Sequence, residues 1–178
     1  MIGLAAAGLL EAIRVTNRHI VLVDRVEDEV RGDLAKPFAA EVADWLVRMQ
    51  GAIVRAPTLE GLAIATLRQQ AGQGDTAAAE RLKKALRHSG ERAIREYVEM
   101  IEPKDIDDAV VLYEDGAVPN LMSAASVPMV LMTTRAFVRV MIDRGCNGDA
   151  LQALEKTGYH LKPPIRTLIE AGLDDVTP

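Results

Sequence analysis

The chain has 178 residues, of which 49% are hydrophobic and 26% are charged. This balance is typical of a folded globular protein and excludes a disordered chain. The net charge of −5 disfavours a broad nucleic-acid-binding surface, and the single cysteine, Cys146, excludes an internal disulfide and fits a reducing cytoplasm.

The first ten residues, MIGLAAAGLL, carry no charged side chain. No basic region precedes them, which argues against a secretory signal. The run ends at Glu11 and is shorter than the roughly 20 apolar residues that span a bilayer. We therefore expect a buried first helix at about residues 3–14 of a soluble, cytoplasmic protein with no membrane partner.

Short apolar runs then alternate with segments of helical periodicity. In the first half, the patterns predict strands at 19–24 and 51–57, and helices at 24–33, 37–50 and 59–70, the last capped by Thr58. In the second half, they predict a loop at 72–75, strands at 109–115 and 127–134, and helices at 76–87, 134–145, 147–157 and 163–171. They also predict a helix that Ser89 caps and Pro103 ends.

This alternation predicts one α/β domain over residues 1–178, with a mainly parallel sheet. Ligands of such sheets collect at the carboxyl ends of the strands. Several acids lie there in the predicted order: Asp24 and Glu29 follow the first strand, and Glu114 and Asp115 close a later one. Glu91 lies in the first turn of a helix, where it has the alternative role of stabilising the helix dipole.

Carboxylates that are brought together repel one another unless a cation or proton is shared. Mg²⁺ or Mn²⁺ relieves that repulsion and, in such a site, supports hydrolysis of a phosphodiester. The alternative is that these acids are solvated surface charges. Thr133 and Thr134 suit either contact with a phosphate or capping of the next helix, and Arg135 suits either contact with RNA or the solvated surface.

Four stretches occur in an order that resembles a PIN domain, and especially the prokaryotic PIN-like proteins related to toxin–antitoxin nucleases. They are VDRVEDEV (23–30), SGERAIREY (89–97), VVLYEDG (110–116) and VLMTTRAFVRVMIDRG (130–145). The tail from 148 onward, GDALQALEKTGYHLKPPIRTLI, is similar to the usual ending of the family. The resemblance covers most of the chain.

The resemblance implies a three-layer α/β/α fold and a metal-dependent endoribonuclease. It assigns Mg²⁺ or Mn²⁺ to Glu29, Glu91 and Asp115, with Glu114 as a rival to Asp115. It assigns a hydroxyl near the site to Thr133 or Thr134. RNA would be the substrate, and an antitoxin-like protein is a partner that the family suggests.

The chain departs from the family pattern at its start. The family opens with a central strand that ends in a metal-binding aspartate, and MIGLAAAG aligns with the end of that motif. The resemblance therefore places the strand and its aspartate upstream of Met1, and the strands on either side would expose edges that favour a homo-oligomer. Three functions stay open: a PIN-type ribonuclease, a non-catalytic PIN-like protein that acts by oligomerisation or partner binding, and another phosphate-ester hydrolase.

Overall fold

The computed structural model describes residues 1–16, 18–102, 109–114, 118 and 129–156. Within these ranges the chain is a mixed α/β protein with short parallel strand pairs, which confirms the predicted class. The strands are β1 (Ile20–Val23), β2 (Ile53–Ala56), β3 (Ala109–Tyr113) and β4 (Met129–Thr133). The helices are α1 (Ile2–Ala6), α2 (Ala12–Val15), α3 (Asp24–Arg31), α4 (Ala39–Arg48), α5 (Leu59–Gly72), α6 (Thr76–Ala85), α7 (Ser89–Met100), α8 (Thr134–Asp143) and α9 (Ala150–Lys156).

The apolar start is buried as predicted, but it is not one helix. Gly8 has φ +66°, a conformation that glycine adopts without strain, and it ends α1. The N–H of Gly8 donates to Ala5 O at 2.9 Å and the N–H of Leu9 donates to Leu4 O at 2.8 Å, which together form a Schellman motif.

Among the described residues, no helix is long and apolar enough to cross a membrane.

Two other helices begin later or differently than the sequence predicts. The helix expected at Pro37 starts at Ala39, because Phe38 takes a left-handed conformation at φ 64°. The helix expected to be capped by Ser89 has His88 as its N-cap, also left-handed, and Ser89 is its first residue. Thr58 caps α5 as predicted, since its side chain accepts a hydrogen bond from the N–H of Gly61 at 3.0 Å.

The strands pair in parallel, but the described residues contain two separate two-stranded sheets. In the first sheet Ile20 of β1 lies beside Ile53 of β2, and in the second Ala109 of β3 lies beside Met129 of β4. Each strand therefore has one edge with no strand partner within the described ranges. The predicted helix at 163–171 and the acid Asp115 lie outside those ranges.

Each sheet has one face against the main core and the other face against α7. Alternate residues of the strands face the main core, which contains Leu22 of β1 and Leu112 of β3 beside the buried face of α8. The other face of each sheet packs against α7, whose Ile94 contacts the clusters of both sheets. Because the same helices cover both sheets, the carboxyl ends of β1 and β3 open onto one cavity.

Candidate functional site

Three of the predicted acidic residues line this cavity, which has a volume of about 300 Å³. Glu29 comes from α3, directly after β1, Glu91 comes from the first turn of α7, and Glu114 follows β3. Thr134, the first residue of α8, lies beside them. The acids that the sequence places at the carboxyl ends of the strands therefore include three that line one cavity. We call it the acidic cavity below.

The Glu29 carboxylate is held by the start of α7. Its Oε1 accepts the backbone N–H of Gly90 at 3.1 Å and the hydroxyl of Ser89 at 3.3 Å. Within the described part of the chain, His88 makes no side-chain capping bond to this helix. Glu29 thus satisfies an N–H group that the helix itself cannot pair, and its negative charge lies at the positive end of the helix dipole.

Glycine at position 90 makes this approach possible. A Cβ atom placed on Gly90 would lie 3.0 Å from both carboxylate oxygens of Glu29. Contacts of that length force one of the two groups to move. Gly90 therefore allows Glu29 of α3 to lie close to Glu91 of α7.

Ser89 is itself fixed by a buried cation. Arg25 is 1% exposed, and its Nε and Nη2 both donate to Ser89 Oγ, at 3.2 and 3.0 Å. Its Nη1 donates to Asp28 Oδ2 at 2.5 Å. A buried charge is costly unless it is paired and hydrogen-bonded, and Arg25 meets both conditions. This network ties α3 to α7 directly behind Glu29.

The pKa of Glu29 lies above its ordinary value of 4.5. Burial is the main cause, because it disfavours the charged form, and the neighbouring Glu91 carboxylate adds to it by repulsion. Arg25 and the hydrogen bonds from Gly90 and Ser89 act in the opposite direction but do not cancel the effect. Glu29 is thus a carboxylate whose negative charge is only partly compensated by the protein.

Glu91 approaches Glu29 from the same turn of α7 that Glu29 caps. Its side chain is 17% exposed, and its Oε1 lies 3.8 Å from Nδ1 of His88. Glu29 and Glu91 are therefore neighbours, because Glu29 is hydrogen-bonded to α7, the helix that carries Glu91. That is an arrangement in which a cation would lower the free energy of both carboxylates.

Glu114 is held in the same way by different helices. Its Oε1 accepts the backbone N–H of Gly3 in α1 at 3.0 Å and the Thr134 hydroxyl at 2.9 Å. Gly3 is more tightly restricted than Gly90, because a Cβ at that position would overlap the Glu114 carboxylate. Both sides of the cavity thus use a carboxylate to bind the N-terminus of a helix from another part of the chain.

The remaining predicted residues have other positions. Thr133 is 4% exposed and caps α8 by accepting the N–H of Ala136 at 3.1 Å, so its hydroxyl serves the alternative role that the sequence allowed. Arg135 is on the surface, where its Nη2 lies 3.3 Å from Glu155 Oε1, and it is not among the described residues that line the cavity. Asp115 lies outside the described residues.

Sequence reasoning did not identify two features of the site. The first is Lys36, the only basic side chain among the described residues that line the acidic cavity. It was not identified because it lies in a polar loop that carries no motif. Asp24, by contrast, does not line the cavity: it accepts the N–H and the hydroxyl of Thr58 at 3.0 and 2.8 Å and so anchors the start of α5. Asp24 and Glu29 both follow β1 in the sequence, and the sequence pattern does not distinguish the carboxylate that anchors a helix from the one that lines the cavity.

The side chains of the cavity suit a hard divalent cation in chemistry, since they offer carboxylate oxygens and a hydroxyl. Burial and repulsion at Glu29 add to that fit, because a cation would relieve both. Among the described residues, however, no group of three or more His, Cys, Asp or Glu side chains is arranged to hold a metal ion. The described geometry thus provides a pair, Glu29 and Glu91, with Glu114 bound elsewhere on the wall.

Comparison of the chain with protein-family models, curated proteins and solved structures gave no significant match.

Proposed function

We propose that the protein is a PIN-type, Mg²⁺- or Mn²⁺-dependent endoribonuclease of the cytoplasm, with its site in the acidic cavity. The observation that carries this proposal is the meeting of Glu29, Glu91 and Glu114 in one cavity at the carboxyl ends of β1 and β3. The proposal assigns the metal to Glu29 and Glu91, with Asp115 or Glu114 as the further acid. The order of motifs that resembles a PIN domain supports the choice of a nuclease over another phosphate-ester hydrolase.

A bound divalent cation would supply positive charge to the scissile phosphate and lower the pKa of a water molecule. The residues of the chain prepare the cavity for it. Ser89 and the N–H of Gly90 orient Glu29, and Thr134 orients Glu114. Lys36 lies on the cavity wall, where an ammonium group attracts a phosphate that the carboxylates would repel.

The test is Mn²⁺ titration by calorimetry, together with cleavage of a fluorescent single-stranded RNA. We expect Mn²⁺ to bind and cleavage to require it. Glu29→Gln and Glu91→Gln each keep the size of the side chain, and each should weaken Mn²⁺ binding about tenfold or more. Glu80→Gln, an exposed glutamate on α6, is the matched control and should leave both readings unchanged.

Absence of both Mn²⁺ binding and cleavage in a folded sample would refute the nuclease function. Binding without cleavage would instead favour the second candidate, a non-catalytic PIN-like protein. Cleavage that survives Glu29→Gln and Glu91→Gln at the wild-type rate would show that the activity comes from another site or from a contaminant.

A specific observation favours the second candidate, which acts through oligomerisation or a partner such as an antitoxin-like protein. The two strand pairs share covering helices but form separate sheets among the described residues. Their strands carry exposed valines, such as Val21 at 38% and Val110 at 37% exposed. Unpaired apolar strand edges promote association between chains.

Size-exclusion chromatography with light scattering tests the oligomer directly, and we expect a dimer or larger. Val110→Lys places a charge on β3 and should shift the protein toward the monomer without loss of helical circular dichroism. Monomeric wild-type protein at micromolar concentration would contradict association.

A further inference from the structure

Most of the described lysines and arginines form an ion pair with an acidic side chain. Arg25 is paired with Asp28, for example, and Arg92 is paired with Glu60. Within the described ranges, the lysines and arginines whose side chains form neither an ion pair nor a hydrogen bond are Lys83, Lys84, Arg87, Arg144 and Lys156. The first three of this set lie in one short segment, residues 83–87, which we call the basic segment.

The basic segment forms the end of α6 on the protein surface. Lys83 and Lys84 are in the last turn of the helix, where positive charge interacts favourably with the helix dipole, and Arg87 follows the helix. All three side chains are exposed. Glu80 is the only acid in α6 and offsets at most one of these charges. The segment therefore carries excess positive charge in a chain whose net charge is −5.

Arg92 of α7 holds the backbone of the basic segment in place. Its Nη1 donates to Arg87 O at 2.5 Å, and its Nη2 donates to Ala85 O at 2.6 Å. The same helix carries Glu91 on the wall of the acidic cavity. Contacts with α7 thus fix the position of the segment relative to the cavity, while its cationic side chains stay exposed.

The basic segment leads directly into the wall of the acidic cavity. Arg87 precedes Gly90 by three residues, and Gly90 lines that cavity. Consecutive Cα atoms are about 3.8 Å apart, so the Cα atoms of Arg87 and Gly90 are separated by about 11 Å at most. Nucleotides of one strand in a duplex rise by about 3.4 Å each, so about three nucleotides span that distance. A polynucleotide with one phosphate in the acidic cavity is therefore long enough to reach the basic segment.

Clustered, exposed cations bind the phosphate backbone of a nucleic acid through charge and the release of counterions, and they need no shaped pocket. We propose that the basic segment binds the phosphate backbone of single-stranded RNA that enters the acidic cavity. The choice of RNA over another polyanion rests on the proposed nuclease function, because the segment adjoins the cavity assigned to that function. The inference adds a binding surface for the RNA that supplies no metal ligand.

The test measures binding of a fluorescent single-stranded RNA by anisotropy over a range of salt concentrations. EDTA is present, so that metal-dependent cleavage does not occur. The variant Lys84→Gln/Arg87→Gln should weaken binding about tenfold at low salt. Each phosphate contact of a single strand contributes about 0.7 to the slope of log affinity against log salt, so the loss of two contacts should make the slope shallower by about 1.4.

The matched control is Arg144→Gln/Lys156→Gln. It also removes one exposed arginine and one exposed lysine that have no partner among the described residues, and neither of them lines the acidic cavity. Each variant removes two positive charges and changes the net charge from −5 to −7, so the net charge cannot explain a difference between them. The control should keep the wild-type slope and an affinity within about twofold of the wild-type value.

A charge-preserving variant, Lys84→Arg/Arg87→Lys, exchanges the two side chains and should also bind within about twofold of the wild-type affinity. Circular dichroism checks that every variant keeps the helical content of the wild type. Loss of binding in the charge-preserving variant would show that the surface does not act through charge and would overturn the proposal.

Equal affinities and slopes for Lys84→Gln/Arg87→Gln and the control would overturn the proposal, and so would the absence of RNA binding by the wild type. Preferential binding of polyglutamate over RNA would overturn it as well and would assign the basic segment to an acidic protein partner. RNA binding that depends on the segment, in a protein that cleaves no RNA, would support the binding surface and refute only the nuclease activity. Metal-dependent cleavage with unchanged RNA binding in Lys84→Gln/Arg87→Gln would support the nuclease and refute the binding surface.

Discussion

The charged side chains near the two ends of β1 differ, with glutamates at the carboxyl end and arginines at the amino end. The protein holds these side chains in place to very different degrees. At the carboxyl end, Glu29 and Glu114 are bonded to backbone N–H groups and hydroxyls, and the buried Arg25 stands behind Glu29. At the amino end, Arg14 lies on the surface and shares Glu11 with another arginine. Buried and hydrogen-bonded groups have little freedom, so the acidic cavity is preorganised. The exposed side chain of Arg14, which is held only by a long ion pair, keeps most of its conformational freedom.

The sharpest test of this difference compares two arginines. Arg25→Ala removes a buried cation and leaves Ser89 and Asp28 without the bonds that it donates. We expect the free energy of unfolding in urea to fall by at least about 2 kcal/mol. Arg14→Ala removes an exposed cation from a long ion pair and should change the same quantity by less than about 0.5 kcal/mol. Equal effects of the two substitutions would show that the ends of β1 are not organised differently.

A second test asks how closely α3 and α7 approach each other. At Gly72, the last residue of α5, an added Cβ would have no described atom within 4 Å, so Gly72→Ala should stabilise the protein by up to about 1 kcal/mol. Gly90→Ala gains the same helix propensity but pushes Glu29 away from the start of α7. We expect Gly90→Ala to be less stable than Gly72→Ala by about 1 kcal/mol in thermal or urea unfolding. Equal gains for the two would mean that Glu29 does not depend on Gly90.

The smallest expected effect concerns the charge of Glu29. Because burial raises its pKa above 4.5, the folded chain binds this proton more tightly than the unfolded chain does. That contribution to stability is complete below pH 4.5 and is lost as the pH rises through the higher pKa of the folded state. Glu29→Gln cannot ionise, so its stability relative to wild type should improve as the pH rises from below 4.5 through the higher pKa of folded Glu29.

The matched control for that experiment is Glu41→Gln, which removes a charge from the exposed face of α4. A constant difference between Glu29→Gln and wild type across the pH range would contradict the raised pKa. A difference that changes in the opposite direction would mean that the hydrogen bonds from Gly90 and Ser89 outweigh burial.

Much of the local structure could be predicted from residue patterns. Short apolar runs marked the described strands, and Thr58 and Thr133 were recognised as residues able to cap helices. The errors came from backbone conformations that patterns do not encode. Gly8 split the first helix, and the left-handed Phe38 and His88 moved two helix starts. Glycine is permissive rather than obligatory at such positions, and a bulky residue adopts them only where tertiary packing holds it there.

The sequence by itself determined the class of the protein and the set of acids that follow its strands, because side-chain periodicity and strand order are local properties of the chain. Only the tertiary structure decided what each acid does. Glu29 and Glu114 enter the acidic cavity, whereas Asp24 anchors Thr58 at the start of α5. The physical reason is that each of these carboxylates binds an unpaired N–H from a distant segment, and which segment lies within reach depends on the packing of the whole core.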